Sequence, residues 1–97
     1  MLVLALLKSR EMYGYEIIEE LERRSNQVFK LKEGTLYPIR HGLQKDKLVT
    51  ARQAEGPNGR VRRYYRITKE GLRVLEEKKE EWTVFSDAVT AVLCSFS

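Results

Sequence analysis

In this 97-residue sequence, the side chains best suited to chemistry are those of a run of arginines near residue 60. Between Glu55 and Glu70 there is no acidic residue, and the cations in this interval are Arg60, Arg62, Arg63, Arg66 and Lys69. A charge run is usually a solvated face, but elsewhere in this sequence acidic residues interleave with the basic ones. Because the guanidinium group is a planar fork that binds phosphate through paired hydrogen bonds, the run predicts contact with a polyanion.

Residues suited to catalysis or metal binding do not occur together at known spacings. The sequence has no nucleophile paired with a base, no partnered pair of carboxylates and no glycine-rich phosphate loop. His41 is the only histidine and is remote in sequence from Cys94, so no metal site follows from their spacing. We therefore expect no enzyme activity, no metal and no cofactor.

Composition and the apolar start of the chain bear on its compartment. The net charge is +4, with 33% charged and 42% hydrophobic residues, which is ordinary for one small globular domain. Cys94 is the only cysteine and has no partner in the chain for a disulfide, which fits a reducing compartment. The apolar run 2–7 is too short for a signal peptide or a membrane span. We expect a cytoplasmic protein without a membrane partner.

The elements that must position the cations follow from the spacing of the apolar residues. Four helices are predicted over residues 2–7, 14–25, 35–45 and 68–96, with Thr68 as the cap of the last. Two strands are predicted over 48–54 and 61–67, joined by the turn formers of Gly56–Gly59. Three helices followed by a β-hairpin is the order of a winged helix-turn-helix, so the fold class is mainly α with a small β-hairpin (α+β).

The third helix would be the recognition helix. Leu36, Ile39 and Leu43 form its inward stripe, at helical spacing. Thr35 can serve as the N-cap, and Pro38 is tolerated because it falls in the first turn, whose amides have no acceptor within the helix. The opposite, outward side carries Gly34, Pro38, His41 and Lys45, with Tyr37 and Gln44 at one edge and Thr35 at the other.

The predicted hairpin over 53–62 would be the wing. Strand alternation places Tyr65 and Ile67 toward the core. Arg60 and Arg62 are the better candidates for DNA contact, and Arg63 near the tip can also reach solvent. Arginine in such a wing meets phosphates or the minor groove.

The length and the apolar face of the last helix indicate a homodimer. Its roughly 29 residues would span about 43 Å, whereas the rest of the chain should form a body about 28 Å across, so the helix must overhang. Apolar residues continue along the overhang at three- and four-residue steps and need cover. The simplest way to bury these residues is to pack them against the same helix of a second copy, with the apolar first helix contributing to the shared core. The predicted interface residues are Leu4, Trp82, Phe85, Val89, Val92, Leu93 and Phe96.

Several side chains have two interpretations from the residues alone. Tyr15 is either core or a phosphate contact at the start of the second helix, and Thr35 is either a cap or a DNA contact. Arg40 lies nearer the apolar stripe, where it can form an ion pair within the chain or meet a phosphate. Trp82 is either a packing residue or a flat wall for a planar ligand.

Three segments in order resemble the PadR family of bacterial transcriptional regulators. They are residues 13–17 (YGYEI), 33–38 (EGTLYP) and 62–71 (RRYYRITKEG), and the resemblance covers nearly the whole chain. With a single C-terminal helix, the chain resembles the short subgroup of the family. It departs from the pattern at its start, because relatives usually carry several residues before the first helix.

The resemblance implies a dimeric DNA-binding repressor with a winged-helix domain over 1–67 and a dimerisation helix over 68–97. Members often respond to planar aromatic or amphipathic effectors, and such an effector would stack on Trp82. The alternative is a winged-helix module for protein interaction or RNA binding, against which the basic wing counts. The expected contacts to double-stranded DNA are Tyr13, Gly14, Thr35, Tyr37, Pro38, His41, Arg60, Arg62 and Arg63.

Overall fold

The computed structural model describes residues 1–95 and contains four helices and one small sheet. The helices are α1 (Leu2–Ser9), α2 (Gly14–Arg24), α3 (Glu33–Lys45) and α4 (Lys69–Ser95). The strands are β1 (Met12–Tyr13), β2 (Val49–Glu55) and β3 (Val61–Ile67), in the antiparallel order β1-β3-β2. One turn of 3-10 helix, Pro57–Gly59, joins β2 to β3. The predicted fold class, mainly α with a winged helix and a long last helix, is confirmed. Phe96 lies outside the described residues.

Strand β1 was missing from the prediction. Met12 pairs with Tyr65 and Tyr13 with Tyr64, so β3 becomes the central strand. Two residues are too short to show strand periodicity, so the sequence predicts no element between residues 7 and 14. Its side chain is completely buried under the sheet.

Helix α3 begins two residues earlier than predicted. Lys32 is the N-cap, and the N–H of Leu36 donates to the Lys32 carbonyl at 2.9 Å. The expectation that Thr35 caps this helix is therefore wrong. Pro38 falls in the second turn rather than the first, where its missing N–H leaves the carbonyl of Gly34 without the usual helical donor.

The core is built from one face of each element around α1. Its most deeply buried side chains are Leu4, Met12, Ile17, Leu36 and Leu75. Leu4 is 1% exposed within one chain, so the prediction that it lies at a dimer interface is wrong. The expected inward stripe of α3 also needs a correction, because Ile39 is exposed while Arg40 turns inward.

Helix α4 is fixed to the body through its first turn. The Gly71 N–H donates to Thr68 Oγ1 at 2.9 Å, which confirms Thr68 as the predicted cap. Gly71 itself lies against the carbonyl of Leu48, and an added Cβ would come within 2.7 Å of Ile67 Cγ1. Gly71 and Leu75 are buried, so these turns belong to the core of the winged-helix body.

Beyond that joint, α4 extends away from the body. The helix has 27 residues, equivalent to about 40 Å, and the chain measures 56 × 28 × 22 Å along its principal axes. The apolar side chains on the overhang are uncovered, with Trp82 55% and Leu93 67% exposed. None of the helices within residues 1–95 combines the length and apolar composition of a transmembrane segment.

Candidate nucleic-acid interface

The outward face of α3 presents an ordered row of side chains. Tyr37, His41 and Lys45 follow one another at four-residue steps, and all three are exposed. The rings of Tyr37 and His41 are nearly parallel, at 12°, with centroids 6.1 Å apart. Thr35 and Pro38 are also exposed on this helix. The row forms a surface of aromatic and basic groups that runs along α3 from Tyr37 to Lys45, the last residue of the helix.

The wing strand β3 lies directly beside this row. Arg63 Nη2 donates to Gln44 Oε1 at 3.3 Å, and the Arg63 guanidinium lies 6.0 Å from the centroid of the Tyr65 ring. Between α3 and β3 runs a groove of about 500 Å³, which we call the α3 groove. It is lined by Tyr37, Arg40, His41, Gln44, Lys45, Arg63 and Tyr65.

Arg40 connects the elements behind this surface. Its side chain is 12% exposed, and its Nη1 donates to the Tyr65 hydroxyl at 3.1 Å while Nη2 forms an ion pair with Glu33. Its guanidinium also lies 5.1 Å from the Tyr65 ring and 5.7 Å from the Tyr37 ring. Of the two interpretations open for Arg40, the structure shows the ion pair within the chain.

The start of α2 contributes a second part of the surface. The Tyr13 N–H donates to Glu16 Oε1 at 3.2 Å, which orders the first turn of α2. Gly14 lies so close to Arg40 that an added Cβ would be 3.0 Å from Arg40 Nη1. Tyr15 is 60% exposed, so it is not a core residue.

Arg62 is held by its neighbours rather than extended into solvent. Its guanidinium lies 4.2 Å above the Tyr13 ring, and that ring meets Tyr64 edge-on at 5.6 Å. A Cβ on Gly56 would be 3.0 Å from Arg62 Cδ, so the side chain packs closely on the turn. Arg60 and Arg63 are the more exposed arginines of the wing.

A groove of about 470 Å³ lies between the start of α2 and the wing, and we call it the arginine groove. Its lining residues are Tyr13, Gly14, Tyr15, Glu33, Arg40, Arg60, Val61, Arg62 and Arg63. Arg40 and Arg63 also line the α3 groove, so the two grooves are contiguous. The structure thus brings the expected contacts of α2, α3 and the wing to one surface, with Thr35 and Pro38 beside it on α3.

The outer face of the sheet carries a separate ion pair. Arg52 Nε donates to Glu11 Oε2 at 3.1 Å, joining β2 to the segment before β1. This hydrogen bond, together with the charges of Arg52 and Arg66, holds the pKa of the Glu11 carboxyl below its ordinary value of 4.5, although desolvation opposes the shift.

The expected effector residue, Trp82, lines a groove between α1 and α4. Its volume is about 370 Å³, and its lining residues are Met1, Leu2, Ala5, Lys8, Leu75, Lys79, Trp82 and Thr83. The Trp82 ring lies 5.9 Å from that of Phe85. In the part of the chain that the structure describes, no three His, Cys, Asp or Glu side chains cluster in a way that could hold a metal ion.

Sequence reasoning missed Glu33 as a member of this surface and left Arg40 undecided. Glu33 and Arg40 are seven residues apart, which places them on the same side of α3 and two turns from each other. That signal went unused because α3 was expected to start at Thr35, which left Glu33 outside the helix.

Comparison with known proteins gives one consistent result. The profile of the transcriptional regulator PadR-like family matches residues 3–77. An uncharacterized protein of Lysinibacillus sphaericus is 35% identical over 88 residues, which span 91% of this chain and 81% of that protein.

Solved structures agree with this match. A transcriptional regulator from Clostridium thermocellum superimposes with a TM-score of 0.83 at 31% identity, covering 92% of this chain and 86% of that one. A PadR family transcription regulator from Clostridium difficile does so with a TM-score of 0.80 at 33% identity, covering 95% and 94%. These neighbours are transcriptional regulators rather than enzymes.

Proposed function

Because this chain belongs to the PadR-like family of transcriptional regulators, a family of DNA-binding winged-helix proteins, we propose that it is a ligand-responsive repressor. It binds a palindromic operator as a homodimer, with one winged-helix domain on each half-site. Residues 1–67 contact the DNA and residues 68–97 join the two copies.

The contiguity of the α3 groove and the arginine groove carries the DNA-binding part of this proposal. An α-helix fits into the major groove, where the aromatic and basic groups of the exposed row on α3 can reach base edges. Arg60 and Arg63 lie on the adjoining wing, where they meet phosphates on the flanking backbone. Helix and wing therefore contact one duplex together.

The uncovered face of α4 supports the homodimer. Phe85, Val89, Val92 and Leu93 continue the stripe that begins at Trp82, and the side chains are all exposed in a single chain. A contiguous apolar face of this length is unfavourable in water and marks an interaction surface. Pairing with the same helix of a second copy covers both faces with two-fold symmetry, which matches a palindromic site.

The groove beside Trp82 supports the response to a ligand. Apolar side chains from α1 and α4 form its walls, and two lysines, Lys8 and Lys79, lie at its edge. A planar aromatic molecule with an anionic group fits this chemistry. A ligand that binds one arrangement of the two copies more tightly shifts the dimer toward that arrangement and changes the spacing of the recognition helices.

Selection of bound fragments from a random DNA library tests the operator. We expect a two-fold symmetric site whose half-sites are about one helical turn apart, roughly 34–36 Å. Affinity for the selected site is then measured against salt concentration for the parent and for Arg60→Gln. Losing one phosphate contact should weaken binding to all sequences and reduce the salt slope by about 0.9.

Arg73→Gln is the matched control, because it removes the same charge from an exposed, ion-paired position on α4. Its salt slope should equal that of the parent. Failure of folded protein to retard any DNA fragment at low ionic strength would refute the proposed function, and retention of RNA alone would support the alternative of an RNA-binding module.

A further inference from the structure

We propose that the Glu33 carboxylate occupies a binding position for a DNA backbone phosphate next to Arg40, and that it leaves this position when DNA binds. Glu33 would then act as an intramolecular competitor that lowers affinity for every DNA sequence. This inference rests on the proposed function and assigns the ligand of one part of the arginine groove.

The first observation is the composition of the arginine groove. Arg40, Arg60, Arg62 and Arg63 all line it, and Glu33 is the one carboxylate among its lining residues. Such a groove attracts a polyanion, and an ionised carboxylate inside it works against that attraction. Glu33 is therefore placed where a negative ligand would otherwise lie.

The second observation is that the side chain of Arg40 is largely buried and held by several contacts, whereas that of Glu33 is exposed. Arg40 is held by the Tyr65 hydroxyl at 3.1 Å and by two aromatic rings, and its side chain is 12% exposed. The Glu33 side chain is 60% exposed. Glu33 can therefore turn into solvent while Arg40 stays in place.

The third observation is the match between the two anions. A carboxylate and a phosphodiester both present anionic oxygens that accept from a guanidinium group, so a phosphate oxygen can replace Glu33 Oε1 at Arg40 Nη2. Glu33 Oε2 also lies near Gly14, since an added Cβ on that glycine would be 3.4 Å from it. The carboxylate thus stands between α2, α3 and the wing, where a phosphate of a bound duplex would contact all three.

The exchange keeps a half-buried cation neutralised in both states. Leaving Arg40 without a partner in the DNA-free chain would be costly, because an unpaired buried charge is strongly unfavourable. Glu33 supplies that partner until a phosphate replaces it. The same ion pair therefore stabilises the free chain and weakens its binding to every DNA sequence.

The first test is Glu33→Gln, which keeps an oxygen acceptor near Arg40 but removes the competing charge. We expect affinity for DNA to rise about tenfold, since the phosphate then displaces a neutral amide, whose hydrogen bond to the guanidinium is weaker than that of an ionised carboxylate. The salt slope should stay close to that of the parent, because a phosphate contacts Arg40 in both proteins and only the cost of displacing Glu33 changes. The gain should be the same for specific and non-specific fragments.

Asp87→Asn is the matched control, because Asp87 is an exposed residue on the overhang of α4 and the net charge changes by the same amount. It should change affinity much less than Glu33→Gln. A second variant, Glu33→Asp, keeps the charge but is one methylene shorter, so it should reach Arg40 less well and also bind DNA more tightly. Circular dichroism confirms that each variant is folded.

Titration with inorganic phosphate reads the same site without DNA. In Glu33→Gln the Arg40 Nε–H resonance should shift at several-fold lower phosphate concentration than in the parent. If the protein bound no DNA but still gave this response, the phosphate site would be supported while the proposed function would be refuted. Equal effects of Glu33→Gln and Asp87→Asn in both titrations, or weaker DNA binding by folded Glu33→Gln, would overturn the inference.

Discussion

Replacing Gly71 by alanine should destabilise the fold although it improves helix propensity. Gly71 is in the first turn of α4, where a Cβ would come within 2.7 Å of Ile67 Cγ1 and closer still to the Leu48 carbonyl oxygen. That carbonyl is backbone and already accepts the Thr68 N–H at 3.0 Å, so it cannot simply rotate away. Helix α4 must shift as a unit to admit the methyl group.

The magnitude follows from three contributions. Alanine in place of glycine in a helix gains about 1 kcal/mol. Inserting a methyl group into a closed contact costs about 1–3 kcal/mol, and a shift of α4 also weakens the bond from the Gly71 N–H to Thr68, a cap worth about 1 kcal/mol. We expect a net loss of about 2 kcal/mol, or roughly 10 °C in Tm for a domain of this size.

Gly42→Ala is the matched comparison, because Gly42 lies inside α3 and an added Cβ would meet nothing within 4 Å. It should gain about 1 kcal/mol, which raises Tm by about 4–8 °C. Thermal unfolding followed by circular dichroism, at one protein concentration for all variants, measures both changes. If Gly71→Ala were stabilised like Gly42→Ala, the close contact at the α4 joint would be refuted.

Three further predictions concern the interface, the ligand groove and the sheet. Phe85→Glu should yield monomers or unfolded chain in sedimentation, whereas Ala91→Glu, at an exposed position on the side of α4 opposite Trp82, should leave the assembly intact; a Phe85→Glu dimer would contradict the proposed pairing. Fluorescence of Trp82, the only tryptophan, should be quenched by planar aromatic anions, and no response across a varied panel would leave it only a packing role. The lowered pKa of Glu11 means that its pair with Arg52 stabilises the fold fully above about pH 4.5 and loses this contribution as the pH falls through the lowered value. An NMR titration of the Glu11 carboxyl should show that pKa rising toward 4.5 in Arg52→Gln, and an unchanged pKa would refute the coupling.

Local sequence signals were sufficient for the elements with strong periodicity. Strand β3 was predicted over 61–67 and is found there, and the cap at Thr68 was predicted from residue type alone. The turn formers after β2 were predicted to form a turn, and Asn58 and Gly59 there adopt the positive φ angles of 74° and 68°. In each of these cases the determining interaction lies within a few residues.

Contacts between distant parts of the chain account for what was missed. Strand β1 exists because Met12 and Tyr13 meet β3 some 50 residues later in the sequence, and nothing in two residues signals that pairing. The need for glycine at position 71 also comes from a distant residue, because the backbone of Leu48 leaves no room for a Cβ there. Arg40 was undecided because one of its partners, the Tyr65 hydroxyl, lies on β3, 25 residues later in the sequence.

These long-range contacts also determine how a change at the proposed dimer interface would reach the DNA. The first turns of α4 are fixed to the body by the Gly71 contact and by the buried Leu75, so we expect α4 and the winged helix to move together. At the other end, Arg40 holds α3 against β3 through Tyr65. A change in the angle between two α4 helices would therefore not be absorbed within a chain. It would turn each recognition helix relative to its half-site. The affinity for the operator would then change through the geometry of the dimer alone.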